Sequence, residues 1–451
     1  MKRAISGLII GVLIINTILL PTVTGIEEFI EEDLEPDQTP IRVAYHSYSS
    51  LKSDLQNLGA AYPSIAHVYD IGDSWEKTEG IADRDVMAIK ISDNVSVEEE
   101  DEPDILFIGG IHAREWISVE VPFYLAQYLI EAYSTDQSVK RLVDSREIWI
   151  IPLLNPDGLE YSRTVSRDWR KNRRENGNGT FGVDLNRNFG YKWGLEEGSS
   201  GDPASDTYRG TAPFSEPETQ ALRDLVATHD FIASISYHSY SQLILYPWGY
   251  TTKAPLHEEQ LINMAKDMDN EIKNVHGKIY TPLQSSDLYL SSGDSEDWLY
   301  GVYTIAAFTV ELRPQNETDN GGKPFELPED QIIPTWEENK PAALYLIKKS
   351  QPLTKISLVP ASFTYYPNYP CVNETITFSA ANVTAQNRTI QSYDWDFGDG
   401  TTGSGGIVTH SYFAAGDYPV KLRITDDEEA INSTTQVITV AVPLVTTAHP
   451  N

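Results

Sequence analysis

Sulfur, positive charge and long apolar runs are what this 451-residue chain has least of. With a single cysteine, Cys371, it can form no intramolecular disulfide and no cysteine cluster, so a bound metal must rest on histidine and carboxylate. Lysine and arginine number 34 against 66 aspartates and glutamates, and the resulting net charge of -32 argues against nucleic acid or anionic lipid as a partner. Such an acidic surface suits a secreted protein and also suits tolerance of salt. Only one uncharged apolar run nears membrane-spanning length, Ala4 to Leu20, and it lies at the N-terminus. Lys2 and Arg3 precede it and small residues follow up to Gly25, so residues 1–25 read as an export signal. An uncleaved anchor is the competing reading, and both place the rest of the chain outside the cytoplasm.

What is present is enough apolar sequence, 40%, to build two or three cores. Residues 26–44 form an acidic, proline-containing arm without a clear period. From residue 45 to 350, helical and strand patterns alternate. Leu51, Leu55, Leu58 and Ala61 have helical spacing, Val86 to Ile91 reads as a strand, and the acidic stretch from Ser92 to Asp104 reads as a solvated loop. Further strands are predicted from Ile105, at Ile148 to Leu154, Phe231 to Tyr237 and Thr304 to Glu311, with helices at Val119 to Tyr133 and Pro334 to Lys349. Asn155-Pro156-Asp157-Gly158 reads as a turn. This alternation predicts an α/β domain, with helices flanking a largely buried sheet. After a linker at 351–360, residues 361–443 change to short alternating strands, predicting a small β-sandwich, and 444–451 form a tail. Sequons at Asn94, Asn178, Asn316, Asn373, Asn382, Asn387 and Asn432 are compatible with an extracellular location.

The chemistry starts in Ile105 to Trp116, where an apolar strand meets Gly109 and Gly110 and then presents His112 and Glu115. A catalytic zinc site needs three histidine or carboxylate ligands and an open position, and this pair supplies two. His-x-x-Glu alone specifies little, and no His-Glu-x-x-His helix accompanies it. The third ligand must therefore be distant. His238, ending the apolar run from Phe231, is the best candidate, with His229 as its competitor.

Together with four distant motifs, these residues carry a resemblance. His112-Ala-Arg-Glu115, Trp169-Arg170-Lys171, Val183-Asp-Leu-Asn186-Arg187-Asn188, His238-Ser-Tyr240 and Thr309-Val-Glu311-Leu-Arg313 occur in the order and approximate spacing of the zinc metallocarboxypeptidases of the carboxypeptidase A/B type, over about Tyr45 to Lys349. The resemblance implies a mixed central sheet flanked by helices and one zinc ion held by His112, Glu115 and His238. Glu311 looks like the general base. Its competing reading is a strand-end carboxylate paired with Arg313. Arg170 looks like the residue that stabilises the oxyanion, against a competing reading of the basic run Arg167 to Arg174 as a solvated face. Asn186 and Arg187 match the pair that binds the substrate's terminal carboxylate, Tyr289 the tyrosine that covers it, and Arg114 and Tyr240 the adjoining subsites. A cis peptide is expected at Ser239-Tyr240.

In this family the residue before Asp297-Trp298 lies at the floor of the pocket for the terminal side chain. Here it is Glu296, with Asp294 two residues earlier, and two confined carboxylates favour a C-terminal Lys or Arg, with apolar residues tolerated. The absence of a globular propeptide and of a disulfide is similar to secreted microbial members. Tyr393-Asp-Trp395-Asp-Phe-Gly398-Asp399-Gly400, with His410-Ser-Tyr412 and Gly416-Asp-Tyr418, resembles a PKD domain, an immunoglobulin-like β-sandwich in which Trp395 is core and Gly398 to Gly400 a turn. That domain is expected to be structural first, with contact to a polymer or cell surface as its binding role. Substrates implied are peptide and protein C-termini. Two other classes remain in play, a cell-wall peptide hydrolase of the same fold and a non-catalytic surface-binding protein. Oligomeric state and a structural calcium ion are left open.

Overall fold

Asp104 to Ile108 is buried on both faces, and that fixes its place in the middle of a sheet. The computed structural model describes residues 44–99, 102–353, 361–380, 390–426 and 431–442. The expected export signal and tail, nearly all of the expected acidic arm, most of the expected linker, Asn382 and Asn387 lie outside the described residues.

Eight strands form one sheet: β1 (Ala66–Asp73), β2 (Asp85–Ile91), β3 (Asp104–Ile108), β4 (Glu147–Ile151), β5 (Phe231–Ser239), β6 (Leu243–Tyr246), β7 (Thr281–Gln284) and β8 (Ala306–Leu312). Their order is β1-β2-β4-β3-β5-β8-β6-β7. The four central strands β4, β3, β5 and β8 run parallel, while β1, β2 and the β6-β7 pair join antiparallel at the flanks. The sheet is thus mixed, as expected. Parallel strands require crossovers, and helices supply them. The α-helices among the described residues are α1 (Tyr48–Ala61), α2 (Trp75–Thr78), α3 (Ile117–Ala132), α4 (Gln137–Val143), α5 (Pro156–Thr164), α6 (Pro217–Val226), α7 (Glu258–His276), α8 (Ser285–Leu288), α9 (Ser295–Tyr303) and α10 (Ile332–Lys349). Among the described residues no helix is long and apolar enough to cross a membrane.

Core packing explains why the central strands read as unbroken apolar runs. Phe107, Ile148, Ile150, Ile235, Phe308 and Val310 are all buried in one continuous cluster. Truncating Phe107 to alanine there costs about 3–5 kcal/mol. Two readings are corrected. Asn155 to Gly158 is not a free turn: the Asn155 side chain accepts from Gly158 N and Pro156 takes the first helical position, so the segment opens α5. The acidic loop is solvated only in part, because Asp104 is buried in β3 and Glu98 and Glu147 bind the buried ammonium of Lys90.

The C-terminal region has two antiparallel sheets. One is built from β9 (Thr364–Tyr366), β10 (Ile376–Ser379) and β13 (Ile407–His410), and the other from β11 (Ile390–Asp396), β12 (Thr402–Ser404), β14 (Gly416–Asp426) and β15 (Ile431–Val440). Phe378 from the first sheet and Trp395, Val420, Leu422 and Ile438 from the second share one core. Trp395 is buried, as expected. Asp396 accepts from Gly398 N and Asp399 from Thr401 N, which closes the tight turn between β11 and β12.

Candidate active site

In an open α/β sheet the carboxyl ends of parallel strands are where side chains are left free for chemistry. Here β3, β5 and β8 each deliver residues to that edge. Beyond β3, Gly110 has a positive φ of 59°, and a Cβ on Gly109 would meet Ser118 O at 2.2 Å, so both positions need glycine for the chain to turn close under α3. The turn is then fixed by Glu115 N donating to His112 O and by the Ser118 hydroxyl donating to Glu115 O. His238 is the penultimate residue of β5, directly opposite Glu311 in the parallel register with β8. Strand pairing therefore sets the base candidate beside the third ligand candidate.

The three ligand candidates converge. His112 Nδ1 and His238 Nδ1 face each other at 3.0 Å, and each lies 3.0 Å from a carboxylate oxygen of Glu115. The far ring nitrogens point elsewhere, His112 Nε2 3.2 Å from Asp184 Oδ1 and His238 Nε2 3.0 Å from Ser236 Oγ. Holding the ring hydrogens on those outer atoms leaves lone pairs from three buried groups aimed at one point, a donor set that fits a zinc ion. Burial, the largest influence on His238, pushes its imidazole toward the neutral form that a metal needs. Two other carboxylate groupings differ, since Asp85 in one and Glu98 and Glu147 in the other already lie against the ammoniums of Lys77 or Lys90.

Glu311 is buried, and its Oε2 makes no hydrogen bond. Burial first and the Glu115 charge second push its carboxyl well above the usual range. Arg313 does not pair with it. That guanidinium binds Glu338 through both Nε and Nη2, which removes the competing reading of Glu311. Nor is the basic run a solvated face. Arg170 and Lys171 are buried, Arg173 stacks 3.6 Å from the Tyr161 ring centroid, and Arg174 pairs with Glu216 at 2.9 Å.

Asp184 is the residue that motif reading passed over, although it stands inside the Val183 to Asn188 motif. Fully buried, it accepts from Arg170 through Nε (3.0 Å) and Nη2 (2.9 Å), from the Asn186 backbone N–H (3.1 Å), and faces His112 Nε2. Burial opposes its charge, but Arg170 and then His112 outweigh it and hold the carboxyl well below the usual range. One carboxylate thus orients a metal-ligand candidate, a guanidinium and a turn. With Nε and Nη2 committed, Arg170 Nη1 is left on the Glu115 side at 3.9 Å.

Arg187 is buried, with Nε on Gly198 O and Nη1 on Asn186 O, and its guanidinium lies 5.8 Å from the Tyr289 ring centroid. Asn186 Oδ1 accepts from Ser295 N and Oγ, so its amide group is what remains for a ligand. Tyr289, half exposed, follows α8. Arg114 lies over Phe325, and Tyr240 packs against the same ring and donates to Glu317. The Ser239-Tyr240 peptide is cis. His112, Arg114, Glu115, Arg170, Arg187, Tyr240, Tyr289 and Glu311 line one cleft of about 650 Å³. A smaller recess lies beside it, where Asn186, Arg187, Asp294, Glu296 and Glu311 meet Leu245 and Leu288. Every site residue expected from sequence falls in the cleft or the recess.

Three imidazole and carboxylate donors, a spare carboxyl group and two guanidiniums at one sheet edge define a metal-dependent hydrolase suited to an anionic substrate. The family model of zinc carboxypeptidases, peptidase M14, matches residues 51–342, and that of the PKD domain matches 363–442. Carboxypeptidase B of Astacus astacus is 36% identical over 301 residues, 65% of this chain and 93% of that protein. Carboxypeptidase A2 of Rattus norvegicus is 35% identical over 299 residues, 65% of this chain and 67% of that protein. The crystal structure of thrombin activatable fibrinolysis inhibitor superposes with a TM-score of 0.63 at 32% identity, over 68% of this chain and 75% of that one. This chain belongs to the zinc carboxypeptidase family. It is a metallocarboxypeptidase carrying a C-terminal PKD domain.

Proposed function

We propose that the enzyme is secreted and releases single C-terminal residues from peptides and proteins, with preference for Lys and Arg and tolerance of apolar residues. The observation that carries this reading is the recess beside the cleft, where a carboxylate clamp and two acidic side chains share one wall set with Glu311. His112, Glu115 and His238 would hold the zinc ion, which when bound supplies Lewis acidity toward a carbonyl and toward water. Glu311 takes the proton of the attacking water and passes it to the departing amine, work for which a buried carboxyl of raised basicity is suited. Arg170, fixed by Asp184, offers Nη1 to the oxygen that becomes anionic.

Arg187 and the Asn186 amide bind the terminal carboxylate, a fork shaped for two oxygens, and Tyr289 covers it. This clamp favours an exopeptidase over the cell-wall hydrolase reading, and the retained Glu311 argues against a non-catalytic binding protein. Residues 1–25 serve as the export signal in this reading, and the PKD domain holds the enzyme to a polymer or cell surface. The deciding experiment offers peptides ending in Lys, Arg, Leu, Phe or Glu, with and without a chelator, and identifies the residue released. Release of internal fragments, or turnover indifferent to chelator, would refute it.

A further inference from the structure

Three carboxylates lie within four residues at the start of α9, of which Asp294 and Glu296 line the recess, and their hydrogen bonds set them apart. Asp294 caps α9, its Oδ1 accepting from Asp297 N at 2.8 Å and its Oδ2 from Ser291 Oγ at 2.6 Å. Asp297 accepts the Gly249 and Tyr250 amides, each at 2.9 Å. Both accept hydrogen bonds on both oxygens, although burial first and the Asp294 charge second push the Asp297 carboxyl well above its usual range. Glu296 is less well supplied. It is 4% exposed, its Oε2 is buried without a hydrogen bond, and its Oε1 closely approaches Ser285 Oγ.

The Ser285 hydroxyl settles which form of Glu296 fits. It lies 3.1 Å from the Tyr246 carbonyl as well as against Glu296, and it has one hydrogen to give. An ionised Glu296 would leave that hydroxyl between two acceptors with one hydrogen for both. A protonated Glu296 donates to Ser285 Oγ while Ser285 donates to Tyr246 O, and both acceptors are served. In that form Oε2 is a neutral carbonyl oxygen beside the apolar wall of Leu245 and Leu288.

We propose that Glu296 is a proton-gated reader of the substrate's terminal side chain: with its proton it admits neutral side chains, and it releases the proton to solvent when a Lys or Arg side chain enters and pairs with it. This rests on the reading of the recess as the site of that side chain. Entry of one positive charge and departure of one proton leave the charge of the recess unchanged, so the same walls serve both substrate classes. The charged and titratable groups around Glu296 are Asp294 and Asp297 at the start of its own helix, Glu311 from β8, and His112, His238, Arg187 and Tyr289 around the recess. Burial and then the Asp294 charge push the Glu296 carboxyl up to about 8, with Ser285 and Thr309 pulling the other way.

The test is kcat/KM for N-benzoyl-Gly-Lys and N-benzoyl-Gly-Leu across a pH series. Their ratio cancels what both substrates share at the metal, Glu311 and the carboxylate clamp. In the wild type the Lys/Leu ratio is expected to rise at least about tenfold between roughly pH 6.5 and 9, since each pH unit below the midpoint changes the ionised fraction about tenfold. In Glu296→Gln, permanently neutral, the ratio is expected to be low and flat. A wild-type ratio that favours Lys equally at every pH overturns the gating while leaving the basic-pocket reading intact. A ratio favouring Leu at every pH, unchanged by Glu296→Gln, overturns the pocket reading itself.

Discussion

At the metal end of the cleft Glu115 is buried between two imidazoles, and in the adjoining recess Glu296 is just as buried among carboxylates. Burial works against the charge of both. For Glu115, His112 and His238 outweigh it and hold the carboxyl far below its ordinary range, whereas for Glu296 the Asp294 charge adds to burial and carries it to about 8. Equal burial thus moves the two carboxyls in opposite directions, because the imidazoles beside Glu115 favour its charge while the carboxylate beside Glu296 opposes it.

The harshest break of this contrast is removal of what the anionic end is built to hold. Chelation of the metal, or His112→Ala, is expected to lower turnover of any C-terminal residue by at least about a thousandfold, the scale of the several kcal/mol that a Lewis-acidic ion supplies. Zinc added back should restore the chelated wild type but not the variant, with zinc content read alongside rate. Glu311→Gln tests the boundary between the two ends, since Glu311 faces both Glu115 and Glu296. It is expected to cost about 10²–10⁴-fold in kcat with the zinc stoichiometry unchanged. Substantial residual turnover would remove Glu311 from the base role.

Smaller effects sharpen the contrast by acting through neighbours. Asp184→Asn keeps the shape while removing the charge that orients His112 and Arg170, and about a 10–100-fold loss in zinc affinity or turnover is expected, read by competition with a chelator. Glu296→Ala should leave Leu-ending peptides within about threefold of wild type while lowering turnover of Lys-ending ones by about 10–100-fold, the range that one pocket contact commands. Equal losses on both would detach Glu296 from specificity.

How much of this was legible in the chain follows from the same physics. The central strands announced themselves because a strand buried on both faces leaves an unbroken apolar run, as Ile148 to Ile151 does. The sandwich was legible by alternation instead, with Val420, Leu422 and Ile424 inward and exposed residues between them. The motifs named the cleft because residue type and order survive in one dimension. Partnership does not. That Arg313 turns to Glu338, that Asp184 ties His112 to Arg170, and that Ser285 faces both Glu296 and Tyr246 depend on segments 11 to 72 positions apart folding onto one another. The helix α7, 19 residues with only Leu261, Ala265, Met268 and Ile272 buried, was missed because so thin an apolar stripe is diluted by its charged face.

A third buried carboxylate extends the rule beyond the site. Glu218 on α6 is fully buried beside Glu216 and Asp157, and burial first and the Glu216 charge second push it up to about 8. Its unfolded counterpart titrates near 4.5. Between those values the folded state holds a proton that the unfolded chain has lost, so the stability linked to this group is fully present below about 4.5 and drains away as the pH rises toward about 8. Glu218→Gln removes the titration while retaining an amide oxygen to accept from Trp75 N. Relative to that variant, the wild type is therefore expected to lose on the order of a few kcal/mol of unfolding free energy from about pH 5 to about pH 8.5, measured by denaturant unfolding of both proteins across the series. A difference that stays constant with pH would mean that Arg174, paired to Glu216 at 2.9 Å, neutralises the cluster and that Glu218 is charged like Glu115. It would then belong with the metal end of the cleft rather than with the recess.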